Sequence, residues 1–374
     1  MTQMLDVVVQ GAGVVGQATA LLLAQTRLRV GLAAQAVRPS AAGPDVRAYA
    51  LNAASRALLQ SLRAWPAPEH CTPVLRMQVW GDARGALEFS AGSLGCEALA
   101  WIVDTPALEA SLAEALRYQP LVEPVDPVAP PKASLLVACE GKVSASRAFH
   151  AIEFEAIRYP QQAIAARLQC QQPHQQSARQ WFVDSGHGPE VLALLPTAGD
   201  TLALVWSVPA DRAAELLAMD APAFEAALRA SCSQRPDADP GPLALCSERV
   251  AWPLARAVAS RWVDAGFALV GDAAHTVHPL AGQGLNLGLA DAAELAKVLR
   301  EREYWRSPGD LKLLRRYERA RKADAARMGF ATDSLERLFA HPDSRVQALR
   351  NWGMLGFGRS GPLKDWVARQ AMGM

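Results

Sequence analysis

Three glycines near the amino end, Gly11, Gly13 and Gly16, are spaced G-x-G-x-x-G. That spacing suits a pyrophosphate. The first glycine permits a tight turn, the second lets the backbone approach the phosphates, and the third allows close helix packing. Free N–H groups and the positive end of the helix dipole would then face the anion. Far downstream, residues 268–288 read ALVGDAAHTVHPLAGQGLNLG. A strand ending at Gly271 would present Asp272 at its carboxyl end, where a carboxylate can accept hydrogen bonds from a sugar-like polyol. A glycine-rich loop then leads into a helix whose start offers N–H groups and a positive field to a developing anion.

The nucleotide pattern also wants an acid at the end of the second strand, to hold ribose hydroxyls. Residues 30–35 read VGLAAQ and contain none. A βαβ unit that holds no dinucleotide is therefore the competing reading. A charge-assisted hydrogen bond is worth roughly 1.5–3 kcal/mol, so its loss would weaken binding by about one to two powers of ten. Gln35 can offer an amide oxygen from the neighbouring position.

The elements around these motifs follow from periodicity. Residues 6–10 are a short apolar strand, 14–26 have helical spacing, and 29–33 form a second strand. Helical spacing returns at 53–65 and at 105–116, the latter with Thr105 as N-cap and Pro106 at its first position. Strand-like alternation occurs at 75–80, 86–90, 163–170, 178–183, 191–195 and 201–208, with another strand at 135–139. Residues 118–131 are rich in proline and read as an extended connector. Helices are expected over 210–232 (one or two), 284–301, and most of the chain from 310 onward. The order β-α-β, mixed β, then β-α suits a nucleotide-binding domain interrupted by a sheet-rich insertion.

The 374 residues point to two domains. A formal net charge of +1 leaves no basic excess for a phosphate backbone, which argues against nucleic acid as a partner. Six scattered cysteines, without a CxxC pair, read as buried thiols in a reducing compartment and not as a disulfide framework or metal site. No run of about 18 uncharged apolar residues occurs, and the first residues lack a basic stretch. A cytoplasmic protein is expected.

The stretch from Gly271 to Gly288 resembles the GD motif of the FAD-dependent aromatic hydroxylases, the group-A flavoprotein monooxygenases. Its HPLAGQGLNLGL wording is most similar to their ubiquinone-biosynthesis hydroxylase branch. RAYALN at 47–52, WIVD at 101–104, LRRYERAR at 314–321 and RNWG at 350–353 extend the resemblance along nearly the whole chain. It implies an α/β fold: a Rossmann-like, para-hydroxybenzoate-hydroxylase-like FAD domain over 1–70, 101–150 and 252–330. A sheet-rich substrate domain over 71–100 and 151–251 and a helical region over 331–374 complete it.

The resemblance also implies roles. Gly11, Gly13, Val15 and Gly16 would meet the FAD pyrophosphate, with Gln35 and Arg47 nearby, and Gly271 and Asp272 would hold the ribityl chain. Gly282, Gln283, Gly284, Leu285 and Asn286 would lie against the isoalloxazine ring, the helix dipole favouring negative charge on the reduced flavin. Pro279 would line the ring face, beside His278. The implied reaction uses NAD(P)H to reduce FAD and O2 to form a C4a-hydroperoxide that hydroxylates a small aromatic ring, such as a prenylated phenol of ubiquinone biosynthesis. Water exclusion around the peroxide is the main demand on the protein. A peripheral contact with the inner face of the membrane, or with other ubiquinone-biosynthesis proteins, would suit that substrate.

Three departures touch the cofactor side. Ala34 stands near the expected acid, the usual Asp-Gly pair appears as Glu140-Gly141, and the connector before it lacks a hairpin. Two alternatives follow: a catalytically impaired relative serving as a binding or assembly partner, or a flavoprotein reductase. Among smaller signals, Tyr49, Tyr159, His275 and His278 could help deprotonate a phenol, although packing roles are expected for both tyrosines and both histidines. Trp80, Phe89, Trp181, Phe182 and Trp206 could wall a substrate pocket but suit a core equally. The basic run 315–322 reads as a solvated face, with membrane contact as its second reading.

Overall fold

The computed structural model describes residues 4–34, 45–81, 85–184, 186–233, 239–276 and 283–340, excluding the side chains of 184, 283 and 327–340. In chain order the elements are β1 (Leu5–Gln10), α1 (Val14–Gln25), β2 (Val30–Ala33), β3 (Ala48–Leu51), α2 (Ala53–Ser61), β4 (Cys71–Val74), β5 (Arg76–Trp80) and β6 (Ala86–Ser90). Next come α3 (Ala91–Leu94), β7 (Ala100–Asp104), α4 (Thr105–Arg117), β8 (Val122–Val125), β9 (Ala133–Ala138), α5 (Ala145–Phe149) and β10 (Phe154–Cys170). β11 (Ser177–Asp184), β12 (Pro189–Pro196), β13 (Thr201–Pro209), α6 (Ala210–Ala218), α7 (Ala221–Cys232) and β14 (Leu243–Leu245) follow. The rest are β15 (Val250–Ala259), β16 (Val263–Asp264), β17 (Phe267–Leu269), β18 (His275–Thr276), α8 (Gln283–Arg300) and α9 (Leu311–Ala340).

A six-stranded sheet in the order β16-β17-β9-β1-β2-β8 carries both glycine motifs. β1 runs parallel to β2 (Val7 opposite Val30) and to β9 (Val7 opposite Leu135), and β9 is parallel to β17 (Val137 opposite Ala268). Central parallel strands are covered on both faces, so LDVVVQ and FAL read as apolar runs without alternation. α1 is buried nearly all round because it lies between this sheet, α4 and α8. Its polar residues are satisfied locally: Gln17 Nε2 donates to Ala12 O and Thr19 Oγ1 to Val15 O.

A nine-stranded sheet follows the path β18-β15-β10-β13-β12-β11-β5-β6, with β14 beside β10. One face packs Trp80, Trp181, Leu192, Leu194 and Trp206 against Leu216 of α6 and Phe224 of α7. On the other, Ala178 and Leu195 pack with Ile102 and Leu94 against a three-stranded sheet, β3-β7-β4. β10 is one continuous strand, longer than its expected 163–170 portion. A register shift between Arg158 and Gln162 bends it, and Tyr159 lies in that bend, half-buried.

Expectations change at the connector and at one cysteine. The proline-rich connector contains a strand, β8, parallel to β2 with Leu32 opposite Pro124. An edge strand bonds on one side only, so a proline is tolerated there. The short pieces around Leu51, Cys71 and Trp101 form a sheet of their own, because each strand is completed by partners distant in sequence. Cys71, Cys170 and Cys232 are buried as expected, but Cys246 is exposed. Of the five aromatics, Trp80, Trp181 and Trp206 belong to the core beneath α6 and α7.

Candidate active site

The first motif is built by clearance. Gly11 has φ +102°, and a Cβ there would lie 2.3 Å from Cys139 O at the end of β9. A Cβ on Gly16 would lie 1.8 Å from Gly11 O. Both positions therefore require glycine for the turn to nest against β9. Gly13 differs: it caps α1 without a side chain, the first turn holds no acid, and a Cβ there would meet nothing within 4 Å. The first N–H groups of a helix have no partner inside it. Here they border open space of the kind a phosphate would fill.

The second motif is built by charge. β17 ends at Leu269, and Gly271 turns the chain with φ +66°. Behind this turn Asp291 of α8 is wholly buried. Its Oδ2 accepts the Gly271 N–H (3.0 Å) and His275 Nε2 (2.6 Å), while Oδ1 accepts Arg321 Nε (2.8 Å). Burial pushes the Asp291 carboxyl up, but His275 and Arg321 outweigh it and hold the group below its ordinary value. Trp262 stacks on His275 at 4.8 Å, and the Tyr317 hydroxyl donates to Leu269 O at 2.8 Å. His275 is thus a hydrogen-bonding and packing residue, as expected. Arg321 is a correction to the solvated reading of 315–322: Arg315, Arg316 and Arg319 are exposed, whereas Arg321 is buried.

Asp272 projects from this turn, half-buried, and among the described residues no hydrogen bond reaches its carboxylate. Burial raises its pKa, against the pull of Lys142 and His275. An unpaired, partly desolvated carboxylate is costly unless a ligand supplies donors. Gly284, in the first turn of α8, also borders open space.

Val15 joins the motifs. A Cβ on Gly288 would lie 2.8 Å from Val15 Cγ2, and one on Gly271 would lie 3.2 Å from Cγ1. The Asn286 side chain accepts from the Asn52 N–H (3.0 Å) and Ser55 Oγ (2.7 Å) and donates to Ala50 O (2.9 Å), tying α8 to β3 and α2. Arg47 pairs with Asp45 at 2.5 Å. Its carbonyl accepts from Thr105 Oγ1 and from Arg167, which also grips Asp104 at 2.6 Å. Burial raises the Tyr49 phenol, Arg47 opposes the shift and Asp272 adds to it, so these three groups share one field.

Glu140 accepts from Ser144 Oγ (2.5 Å) and the Ser146 N–H (3.1 Å), fixing the turn into α5. From α5, Arg147 donates to Ala273 O at 2.9 Å, reaching the second motif. Sequence reasoning missed Asp291, Arg321, Arg147 and Arg167. Asp291 left one signal, an acid in the middle of the mostly apolar LNLGLADAAELA. Gln35, His278, Pro279 and Gly282 lie outside the described residues, and only the backbone of Gln283 is described. Tyr159 sits in the β10 bend, half-buried.

The glycine-lined spaces and the carboxylate without donors fit an FAD: pyrophosphate at α1, a polyol at Asp272. The family described as "FAD binding domain" matches residues 131–330. The chain is 31% identical over 394 residues to 3-demethoxyubiquinol 3-hydroxylase of Escherichia coli, covering 99% of this chain and 98% of that protein. It is 30% identical to ubiquinone hydroxylase UbiL of Rhodospirillum rubrum, over 98% and 89% of the two chains. The fold is similar to that of p-nitrophenol 4-monooxygenase PnpA from Pseudomonas putida, with TM-score 0.75 and 18% identity over 100% and 99% of the chains. The chain belongs to the FAD-dependent aromatic hydroxylases, in their ubiquinone-biosynthesis branch.

Proposed function

We propose that this FAD-dependent monooxygenase hydroxylates the ring of a prenylated phenol in ubiquinone biosynthesis, with NAD(P)H and O2 as co-substrates. The observation that carries the proposal is Asp272: half-buried, without a hydrogen bond among the described residues, and set between two helix starts that border open space. The names of the Escherichia coli and Rhodospirillum rubrum relatives support the substrate class.

In this reading the segments 1–70, 101–150 and 252–330 hold the cofactor, and 71–100 with 151–251 shape the substrate side. FAD, once reduced, supplies the activation of O2. Gly11, Gly13 and Gly16 bind its pyrophosphate against α1, with Gln35 and Arg47 alongside, while Val15 sets the spacing between the motifs. Asp272, behind Gly271, accepts the ribityl hydroxyls. Gly282, Gln283, Gly284 and Leu285 offer the α8 start to the flavin ring, and Asn286 orients that helix. Glu140 acts through Ser144 and Ser146 on the loop before α5. His278 and Pro279 border the substrate and help exclude water. Burial holds the Tyr49 phenol above its ordinary value, so it stays protonated at neutral pH, which argues against it as the base that deprotonates a phenol. Tyr159 is left as the tyrosine that could approach a substrate.

No helix among the described residues is long and apolar enough to cross a membrane. A prenyl chain partitions into lipid, so the proposal includes a peripheral membrane contact. The exposed Tyr304 and Trp305, edge-to-face at 4.9 Å on the loop between α8 and α9, support that contact.

The test is a flavin absorbance spectrum of purified protein, FAD titration by fluorescence quenching, then NADPH-dependent product formation from a polyprenylphenol. Micromolar binding and a hydroxylated product are expected. Absence of binding at about 100 μM FAD, roughly −5.5 kcal/mol or weaker, would overturn the proposal.

A further inference from the structure

The loop that follows β9 lies against both glycine motifs. A Cβ on Gly11 would stand 3.0 Å from the Glu140 backbone nitrogen, so the loop leaves the sheet beside the Gly11 turn. The Ser146 hydroxyl donates to Gln10 Oε1, tying the same loop to the end of β1. On its other side Arg147 staples it to the second motif. One guanidinium donates to Lys142 O at 2.8 Å and to Ala273 O at 2.9 Å. Lys142 is thereby held close to Asp272: burial raises the Asp272 pKa, and Lys142 is the leading charge that opposes the rise. Gly141, with φ +77°, borders open space on the same loop.

A diphosphate at the start of α1 would be a dianion near the Asp272 carboxylate, and like charges close together are unfavourable unless a cation stands between them. Other charged groups around the motifs are already engaged. Arg47 pairs with Asp45 at 2.5 Å. Arg147 is buried, with its guanidinium over the Phe154 ring at 3.6 Å and its donors on the two carbonyls. Glu140 is turned onto Ser144 Oγ and the Ser146 N–H. Lys142 differs from these: its side chain is exposed, and among the described residues its ammonium makes no hydrogen bond or ion pair.

We propose that Lys142 is the cation that binds the FAD diphosphate, set between that dianion and Asp272. The proposal rests on the seating of the pyrophosphate at α1 given above. It supplies affinity on the phosphate side that residues 30–35, which lack an acid, do not supply on the ribose side.

The experiment is FAD titration of the full chain by fluorescence quenching, at about 0.05 M and about 0.5 M NaCl. Lys142→Gln should weaken FAD about three- to tenfold at low salt. The Tm of the FAD-free variant should match the parent, because the side chain is exposed. Salt should erode FAD affinity more in the parent than in the variant, and Lys142→Arg should retain most of the affinity. In an Asp272→Asn background the loss should persist, which separates a diphosphate partner from an effect exerted through Asp272. Equal FAD affinity in parent and Lys142→Gln, equal salt dependence, or a loss that vanishes in the Asp272→Asn background would each overturn the assignment while leaving the cofactor reading intact. A parent that binds no FAD would overturn both.

Discussion

The two loops that meet at Val15 are held by different forces. At Gly11 an added carbon would overlap Cys139 O, and at Gly16 it would overlap Gly11 O. No charged side chain takes part in that nesting. Around Gly271 the backbone is held by a buried carboxylate that also binds His275 and Arg321. The first arrangement is steric, so it should be all-or-nothing and indifferent to pH. The second is ionic, graded in its response and open to acid. One cofactor would thus rest on a rigid cradle at its phosphates and on an electrostatically supported turn at its ribityl chain.

The largest expected effect comes from forcing the steric loop. Gly16→Ala puts a methyl 1.8 Å from a carbonyl oxygen, and a loss of more than about 4 kcal/mol, or no soluble protein, should appear in denaturant unfolding. Next is Asp291→Ala, which leaves Arg321 and His275 buried without their acceptor. Breaking a buried ion pair costs about 3–5 kcal/mol, measurable by the same method. A Gly16→Ala protein as stable as the parent, or an Asp291→Ala protein without loss, would collapse the distinction.

Acid should separate the loops more finely. The Asp291 pKa is lowered on folding, so its stabilisation is fully present above the ordinary carboxyl value of about 3.9 and is lost as pH falls below it. Comparing parent and Asp291→Ala melting between neutral pH and pH 3 should show their stability difference shrinking at the acid end. Asp272 has the opposite sign. Its folded pKa is raised, so the ionised group opposes folding of the ligand-free protein as pH rises above the ordinary value. Asp272→Asn should therefore raise the Tm of FAD-free protein slightly while weakening FAD about tenfold. The smallest stability effect belongs to Gly13→Ala, within about 0.5 kcal/mol, because its methyl meets nothing; FAD affinity should fall all the same.

The glycine spacings and the carboxylate after β17 were legible in the sequence because each is local: a turn, a helix start and a strand end lie within a few residues. Most strands of the large sheet were legible for the same reason, since alternation is a property of neighbours. The contacts that complete the site were not. Asn286 reaches Asn52 and Ser55 across more than two hundred residues, and Asp291 meets Arg321 on another helix. Arg321 looked like part of a solvated charged run, since nothing in 315–322 marks which basic residue turns inward. β8 was hidden by Pro124, which penalises strand formation except at an edge, and the sequence does not say where a sheet stops.

That edge has a consequence for the protein in a crowded solution. The outermost strand of the six-stranded sheet carries exposed Glu123 and Pro124 at its centre. The proline interrupts the row of backbone donors, and the glutamate places a charge beside the gap. A strand from another copy, or from a chain still folding, finds no unbroken ladder on which to dock. The β8 edge thus also guards against edge-to-edge aggregation.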